Sequence, residues 1–166
     1  GVRLVGSEMC IETGSQPLFK AIGKAAFGLI TRTVNGKKEF LVAGRPEIGS
    51  FDYIELGPSV QWEPTKKADS DNAVDALFRE KIAAHETQYQ VILSEEGGRF
   101  YHEQNHNYIV EIEPDELKEL PEGYFWIDYG TLNYMIQINN CLNIQLRNLL
   151  SLLENSRIYR LSLIHI

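Results

Sequence analysis

The sequence is poor in cysteine, and it has no cluster of cations and no long apolar run. Its two cysteines, Cys10 and Cys141, lie far apart and match no CxxC pattern, which predicts reduced thiols and a cytoplasmic protein rather than a disulfide framework. The formal net charge is -7 and no run of Lys or Arg is longer than the pair Lys66-Lys67, so binding to a nucleic-acid backbone is not expected. No apolar run approaches the roughly 18 residues of a membrane span, and the N-terminus lacks the charged-then-apolar pattern of a signal peptide. The composition predicts a soluble protein without a nucleic-acid or membrane partner.

The length of 166 residues and the hydrophobic content of 43% are sufficient for one core, which predicts a single domain over residues 1–160. Gly1 to Glu12 already has the pattern of a structured segment, so we expect the natural start to lie upstream. The last six residues, Leu161 to Ile166, resemble the translation of a sequencing-library adapter, and residues 161–166 are interpreted as a non-native tail.

Hydrophobic periodicity and turn signals predict a mixed α/β fold with a largely antiparallel sheet. The strongest signal is Asn35-Gly36, which predicts a hairpin between strands at Ala26 to Val34 and Glu39 to Ala43. Further strands are expected at Tyr53 to Leu56, Tyr89 to Leu93, Asn107 to Ile112 and Tyr124 to Ile127. Helices are expected after an N-cap at Asp71, from Thr131 as a second N-cap to Ile138, and over Leu142 to Leu153, while Arg45 to Ser50 is expected as a loop and Gly57-Pro58 as a bend.

The stretch from Leu93 to Val110 carries a high density of polar and aromatic groups between two apolar strands. A solvated loop would carry more Ser, Pro and Lys, and a core segment would not tolerate so many groups that need hydrogen bonds. Glu95 and Glu96 precede Gly97-Gly98 and Arg99, and adjacent carboxylates repel unless one is solvated, paired or protonated. The pattern is typical of a surface turn with an ion pair, but Arg99 could equally clamp a diphosphate through two hydrogen bonds.

His102 to His106 formally matches the pattern HExxH, in which two His one helical turn apart bind zinc. That chemistry needs a helix, whereas the flanking residues favour strands and turns, so we expect no zinc here. His102 and the neighbouring Tyr101 are instead the best acid or base types beside the paired carboxylates.

At these residues the sequence resembles the NDP-hexose 2,3-dehydratase family of deoxysugar biosynthesis, and the resemblance covers Gly1 to Leu153. Its most specific blocks are Glu55 to Gln61 (Glu-Leu-Gly-Pro-Ser-Val-Gln) and Ser94 to Phe100 (Ser-Glu-Glu-Gly-Gly-Arg-Phe). The other matching pieces follow in family order, and they are Gly1-Val2, Gln16 to Leu18, Phe40 to Val42, Arg45 to Gly49, Tyr101-His102, Asn105, Gly123-Tyr124, Trp126, Asn143 and Arg147 to Leu150. The sequence departs from the family at His106, where Arg is frequent, and at Ser59, where Thr is usual.

The resemblance implies a Nudix-like α/β module with a mixed, largely antiparallel sheet and flanking helices. The Nudix box is degenerate, because Ala83 and Ala84 stand where its metal-binding carboxylates would be. Members of the family resemble two tandem copies of such a module that act as a homodimer, and this chain is more similar to the second copy. The implied partners are therefore a dTDP-sugar substrate, the missing upstream module and a second subunit, with no metal or other cofactor.

The reaction implied by the resemblance is 2,3-dehydration of a dTDP-4-keto-6-deoxy-hexose, a carbon-oxygen lyase reaction. A base removes the C3 proton beside the C4 ketone, the C2 hydroxyl leaves, and the enol tautomerises to a 3,4-diketo-2,6-dideoxy sugar. Glu95 or Glu96 is the expected base, and Tyr101 or His102 is the expected donor or acid. The residues expected to contact the substrate are Glu47, Glu55, Ser59, Gln61, Arg99 and Asn105.

A non-catalytic role as a nucleotide-sugar-binding or dimerisation module is the alternative, because duplicated modules often divide their labour. In either case we expect the isolated chain to be inactive, since a site assembled across two modules would lack part of its wall.

Overall fold

The computed structural model describes residues 17–49, 51–64 and 72–156, which form seven strands and three helices around one sheet. The strands are β1 (Ala26–Val34), β2 (Lys37–Pro46), β3 (Ile54–Pro58), β4 (Val60–Trp62), β5 (Tyr89–Ser94), β6 (Gln104–Ile112) and β7 (Tyr124–Asp128). The helices are α1 (Ala73–Ala83), α2 (Tyr129–Met135) and α3 (Ile144–Asn155). In this part of the chain, no helix has the length and apolar character needed to cross a membrane.

Strand β1 lies at the centre of the sheet, whose main order is β3-β2-β1-β6-β5. It pairs antiparallel with β2 from Thr31 onward and with β4 at Ala26 to Gly28, and it pairs parallel with β6. The remaining pairs, β2 with β3 and with β7 and β5 with β6, are antiparallel. The mixed α/β class with a largely antiparallel sheet is therefore confirmed.

Asn35 and Gly36 close the β1–β2 hairpin as their sequence predicts. Their φ angles are 51° and 76°, and a two-residue type I′ turn requires positive φ at both positions. The turn fixes a register in which Val34 is opposite Lys37 and Thr31 is opposite Phe40.

Strands β1 and β2 separate beyond this hairpin, and the β3–β4 segment lies between them. Strand β3 pairs with β2, β4 pairs with β1, and Ser59 at their junction has no exposed surface. The Ser59 hydroxyl donates to the carbonyl of Leu41 at 2.6 Å and accepts the amide hydrogen of Ile30 at 2.8 Å. One side chain thus satisfies two buried backbone groups on the separating strands.

Both faces of the sheet are covered, because successive side chains of the central strands point to opposite sides. Leu29 and Val42 belong to the cluster under α3, and Ile30 and Leu41 belong to the cluster under α1. The α3 cluster includes the buried leucines Leu146, Leu149, Leu150 and Leu153. Burial of each such side chain stabilises the fold by roughly 1.5–3 kcal/mol, so packing rather than helix propensity holds α3 on the sheet.

The N-cap of α1 is Asn72, and the prediction of Asp71 was wrong by one residue. Asn72 Oδ1 accepts the backbone N–H of Val74 at 2.9 Å, and Asp71 lies outside the described residues. Asp and Asn are equally good caps, and the buried face that contains Val74 and Phe78 does not distinguish between adjacent cap positions.

Helix α2 also begins earlier than its sequence pattern predicts. Its N-cap is Asp128 rather than Thr131, and the helix ends at Met135 rather than Ile138. Asp128 Oδ1 accepts the backbone N–H of Thr131 at 3.0 Å, which places Thr131 inside the first turn.

Three strand boundaries differ from the prediction as well. Strand β2 extends through Arg45-Pro46, which were expected in a loop, and Gly57-Pro58 belong to β3 rather than to a bend. Strand β6 begins at Gln104 instead of Asn107. In each case pairing with a neighbouring strand extends the element into polar or turn-forming residues.

Replacing Ser59 by Ala should lower the free energy of unfolding by about 2–6 kcal/mol. The change leaves the amide of Ile30 and the carbonyl of Leu41 buried without a partner, and each unsatisfied group costs about 1–3 kcal/mol. Urea unfolding measures the difference, with Thr33→Ala as the matched control because the Thr33 hydroxyl bonds Glu111 at the exposed surface. Equal stability of the two variants would contradict a bridging role for Ser59.

Candidate functional site

A cleft of about 630 Å³ opens on the face of the sheet that α3 covers, next to the N-terminal end of that helix. Phe27 and Gln61 lie side by side in the cleft because they are opposite each other in the β1–β4 pair. Asn105 of β6 belongs to the same wall, and Ile144 and Gln145 of the first turn of α3 close one side. The cleft is therefore the part of this sheet face that the helix leaves uncovered.

Two carboxylates, Glu95 and Glu103, stand at the base of the loop between β5 and β6. The last residues paired in the two strands are Ser94 and Gln104, and the Glu95 amide donates to the Glu103 carbonyl at 3.0 Å. Residues opposite each other in antiparallel strands place their side chains on the same face, so both acids line the cleft. Burial raises the pKa of the Glu103 carboxyl, and the nearby charge of Glu95 raises it further. Glu103 therefore keeps its proton to higher pH than an ordinary glutamate does.

Asn105 holds Glu95 in place from the buried side of the cleft. It is only 3% exposed, and its Oδ1 accepts the backbone N–H of Ala25 at 3.2 Å. Its Nδ2 then donates to Oε1 of Glu95 at 2.6 Å. Because a backbone N–H can only donate, this pair of bonds fixes which end of the Asn105 amide faces the carboxylate.

The rim of the cleft carries Glu96 and Arg99, both of which are exposed. The backbone of this rim is tied to the chain at Phe19, whose amide donates to the Arg99 carbonyl at 3.0 Å. Among the described residues that line the cleft, Arg99 is the only cation, whereas four are acidic, namely Glu63, Glu95, Glu96 and Glu103. The electrostatic balance of the lining is thus negative.

Tyr101 and His102 line an adjoining cavity of about 580 Å³ rather than the cleft itself. Their rings lie 4.4 Å apart between centroids, and His102 has a φ angle of 52°, in the left-handed region. The two cavities meet at Glu95 and Glu103, which contribute to the walls of both.

Three expected substrate contacts lie away from the cleft. Ser59 is buried at the strand junction, and Glu47 lies at the start of the β2–β3 connection, where its amide donates to the Tyr53 carbonyl at 2.9 Å. Glu55 is 8% exposed and borders a separate cavity of about 270 Å³ with Cys141. The structure thus brings Gln61, Arg99 and Asn105 to the cleft but not the other three.

The HExxH segment is not helical, in agreement with the prediction from its flanking residues. His102 lies in a bend, whereas Gln104 to His106 belong to β6. Within the described ranges, no group of three or more His, Cys, Asp or Glu is arranged to hold a metal ion.

The model of the family described as NDP-hexose 2,3-dehydratase matches residues 1–153 of this chain. The chain belongs to the NDP-hexose 2,3-dehydratase family. This confirms the resemblance seen in the Glu-Leu-Gly-Pro-Ser-Val-Gln and Ser-Glu-Glu-Gly-Gly-Arg-Phe blocks.

Curated relatives in this NDP-hexose 2,3-dehydratase family are longer than the chain. A dTDP-4-dehydro-6-deoxy-alpha-D-glucopyranose 2,3-dehydratase of Streptomyces violaceoruber is 32% identical over 152 residues, which cover 91% of this chain and 34% of the relative. A protein of the same name from Saccharopolyspora spinosa is 30% identical over 151 residues, covering 87% of this chain and 30% of the relative. The chain thus spans about a third of the length of these relatives.

Among solved structures, the fold is similar to that in a complex of the C-terminal domain of mouse MUTYH with human PCNA. That chain is 15% identical and superposes with a TM-score of 0.51, covering 81% of this chain and 89% of the other. A Nudix hydrolase from M. smegmatis, RenU, is 16% identical with a TM-score of 0.45 over 87% of this chain and 90% of the other. The similarity to the MUTYH domain concerns the fold alone, and it agrees with the mixed α/β class predicted from the sequence.

The sequence analysis missed three residues that line the cleft, Glu103, Gln145 and Asn148, and also Asn143, which is buried behind the cleft and bonds Gln61. Glu103 has the two-residue spacing to Asn105 and Asn107 that places all three on one strand face, but this signal needed β6 to be extended to Gln104. Asn143 stands three residues before Leu146, which is the spacing of an N-cap to its N3 position. No local pattern distinguishes Gln145 or Asn148 from ordinary polar positions on a helix.

Replacing Glu103 by Gln should stabilise the protein at pH 8 and leave its stability unchanged at pH 4. The pKa of the Glu103 carboxyl is higher in the folded state than in the unfolded state. Its protonation therefore contributes fully to the free energy of unfolding below the unfolded-state pKa, and this contribution is lost as the pH rises through the folded-state pKa. The Gln side chain of the variant stays uncharged, so the variant does not lose this stability at high pH. Thermal unfolding of the variant and wild type between pH 4 and pH 8 tests the sign, with Glu119→Gln at an exposed position as the control. A melting temperature that falls at pH 8 would show that the Glu103 carboxylate is stabilised rather than strained by its surroundings.

Proposed function

We propose that this chain is one module of an enzyme that dehydrates a dTDP-4-keto-6-deoxy-hexose across C2 and C3. The observation that carries the proposal is the Glu95–Glu103 pair in the cleft of a chain from the NDP-hexose 2,3-dehydratase family. Glu95 is held by the amide of Asn105, whereas burial raises the pKa of Glu103. Two carboxyl groups in different environments supply the separate base and acid that such an elimination needs.

In this proposal Glu95 takes the proton from C3, and the electrons of that bond form an enolate with the C4 oxygen. The enolate then reforms the C4 carbonyl, a double bond forms between C2 and C3, and the C2–O bond breaks. Glu103 donates its proton to the departing hydroxyl, which leaves as water, and the enol tautomerises to the 3,4-diketone. Atoms and electrons balance without an oxidant or a reductant.

The other candidates for catalysis take secondary positions in this scheme. Glu96 is exposed at the rim, so it is less suited than Glu95 to a dry proton transfer. Tyr101 and His102 face the adjoining cavity, and we propose that they contact the part of the ligand that extends there.

The charge of the cleft supports a site completed by another part of a longer protein. The diphosphate of a dTDP-sugar needs cations, and Arg99 is the single cation in the described lining beside four glutamates. We propose that the sugar end occupies this cleft and that an upstream module supplies further phosphate contacts. The short span relative to the curated dehydratases supports the part of this proposal that concerns a longer protein. The proposal also includes a cytoplasmic homodimer of that protein.

Replacing Glu95 by Gln in the two-module protein should lower kcat by about 10²–10⁴, the usual contribution of a positioned base, with little change in KM. The amide is nearly isosteric but cannot accept the C3 proton. Turnover of the 4-keto substrate measures kcat, and exchange of the C3 hydrogen with deuterated solvent reports proton removal alone. Glu119→Gln serves as the surface control. If the Glu95 variant still exchanges C3 hydrogen at the wild-type rate, another residue is the base.

The isolated chain should bind the dTDP-sugar weakly and should turn over none of it, because part of the wall and most phosphate contacts would be absent. A displacement of the reacting groups by about 1 Å can already lower the rate roughly 100-fold. Parallel assays of the chain and the two-module protein on one substrate provide the comparison. Comparable turnover would show that the site is complete within this chain. If the longer protein binds the substrate but substitutions at Glu95 and Glu103 leave its turnover unchanged, this chain is a non-catalytic module.

A further inference from the structure

Asn143 lies between α3 and the cleft, and its side chain is bonded at both ends of its amide. It is only 1% exposed. Its Oδ1 accepts the backbone N–H of Leu146 at 3.0 Å and so caps α3, while its Nδ2 donates to Oε1 of Gln61 at 3.2 Å. Gln61 belongs to β4, 82 residues earlier in the chain, and lines the cleft.

The polarity of this chain of bonds follows from its backbone end. The Leu146 amide can only donate, so the Asn143 atom that meets it must be the oxygen. The other end of the Asn143 amide is therefore the NH₂ group, which can only donate hydrogen bonds. Gln61 must present its oxygen to that group, which leaves Nε2 of Gln61 as the donor toward the cleft.

Asn143 is also fixed in position by its own backbone and by its neighbours. Its amide donates to the Leu56 carbonyl at 2.9 Å, and the Leu56 amide donates to the Cys141 carbonyl at 2.8 Å. A Cβ atom on Gly57 would lie 3.0 Å from Nδ2 of Asn143, so the absence of a side chain at Gly57 permits this close approach. The orientation of Gln61 is thus imposed by β3 and α3 together.

We propose that Asn143 is a positioning residue that fixes Gln61 as the hydrogen-bond donor to the C4 oxygen of the substrate. This inference rests on the proposed function, in which that oxygen gains negative charge when Glu95 removes the C3 proton. The cleft then presents an acceptor, Glu95, and a donor, Gln61, each oriented by a buried asparagine whose Oδ1 binds a backbone N–H. Loss of one donor to such an oxygen typically lowers kcat about 10²–10³-fold.

Two substitutions separate the polarity of Gln61 from the stability of α3. Asn143→Asp keeps a good N-cap but has no N–H for Gln61, whose amide is then free to turn its NH₂ group away from the cleft. Gln61→Glu keeps an oxygen for Asn143 and removes the donor that faces the cleft. Asn72→Asp is the matched control, because Asn72 caps α1 in the same way while its Nδ2 bonds Tyr124 outside the cleft.

In the two-module protein, Asn143→Asp and Gln61→Glu should each lower kcat about 10²-fold, with KM within about threefold of wild type. Asn143→Asp should melt at a lower temperature than Asn72→Asp, because it places a carboxylate at a position that is only 1% exposed. Each kcat is therefore measured well below the melting temperature of the variant, and the control should retain wild-type kcat. Wild-type kcat in either test variant would overturn the inference. A raised KM with unchanged kcat would also overturn it, since it would indicate a contact made equally in the ground state.

A measurement without substrate keeps this inference distinct from the proposed function. In the unliganded chain, NMR should show faster solvent exchange for the Nε2 protons of Gln61 than for the Nδ2 protons of Asn143, because the latter are buried and bonded. The reverse order would refute the assigned polarity. If the order is as expected but the wild-type protein leaves the 4-keto sugar unchanged, the proposed function fails while the polarity of Gln61 stands, and its assignment to C4 fails with the function.

Discussion

Strands β1 and β2 are paired next to their hairpin and then diverge. The backbone N–H and C=O groups that no longer pair with each other need other hydrogen-bond partners, and the rest of the sheet depends on how these are supplied. The Ser59 hydroxyl bonds one group on each strand, and the segments on either side of it pair with β2 and with β1. Unpaired buried amides and carbonyls are costly, so this junction admits one register of β3 and β4. That register is what places Gln61 opposite Phe27 in the cleft.

The second determinant of the cleft is the point at which α3 begins. The side chains of β6 on this face change from apolar at Ile109 to polar at Asn107 and Asn105 toward its N-terminal end, and the acidic Glu103 stands just before the strand. The leucines of α3 pack on the apolar part of this face, and the helix begins before it reaches the polar part. Helix α3 therefore leaves the polar end of this face uncovered, and the result is a cleft lined by carboxylates and carboxamides, with Asn105 as part of its buried wall.

Buried asparagines connect the backbone to the chemistry of that cleft. Asn105 and Asn143 each accept a backbone N–H through Oδ1 and donate from Nδ2 to a cleft residue. The position of the backbone N–H thus determines which end of each side-chain amide faces the cleft residue. Buried amides of this kind are stable only when both ends are bonded, because an unsatisfied end loses its hydration without return. Their arrangement holds the donor and the acceptor in place before a ligand arrives, which is the condition for electrostatic preorganisation.

By itself, the sequence determined the local elements and the family. Asn35-Gly36 specified the hairpin, the leucine spacing specified α3, and the Ser94 to Phe100 block identified both the family and the loop that carries Glu95 and Arg99. These signals are local because turn dihedrals, helical periodicity and short motifs involve residues close together in the chain. Only the tertiary structure decided which polar residues meet: it joined Asn143 to Gln61 across 82 residues and paired Glu95 with Glu103, while it directed Ser59 and Glu55 from the same motif away from the cleft. The reason is that side chains alternate between the two faces of a strand, so the register of pairing, rather than residue type, determines which polar groups share a site.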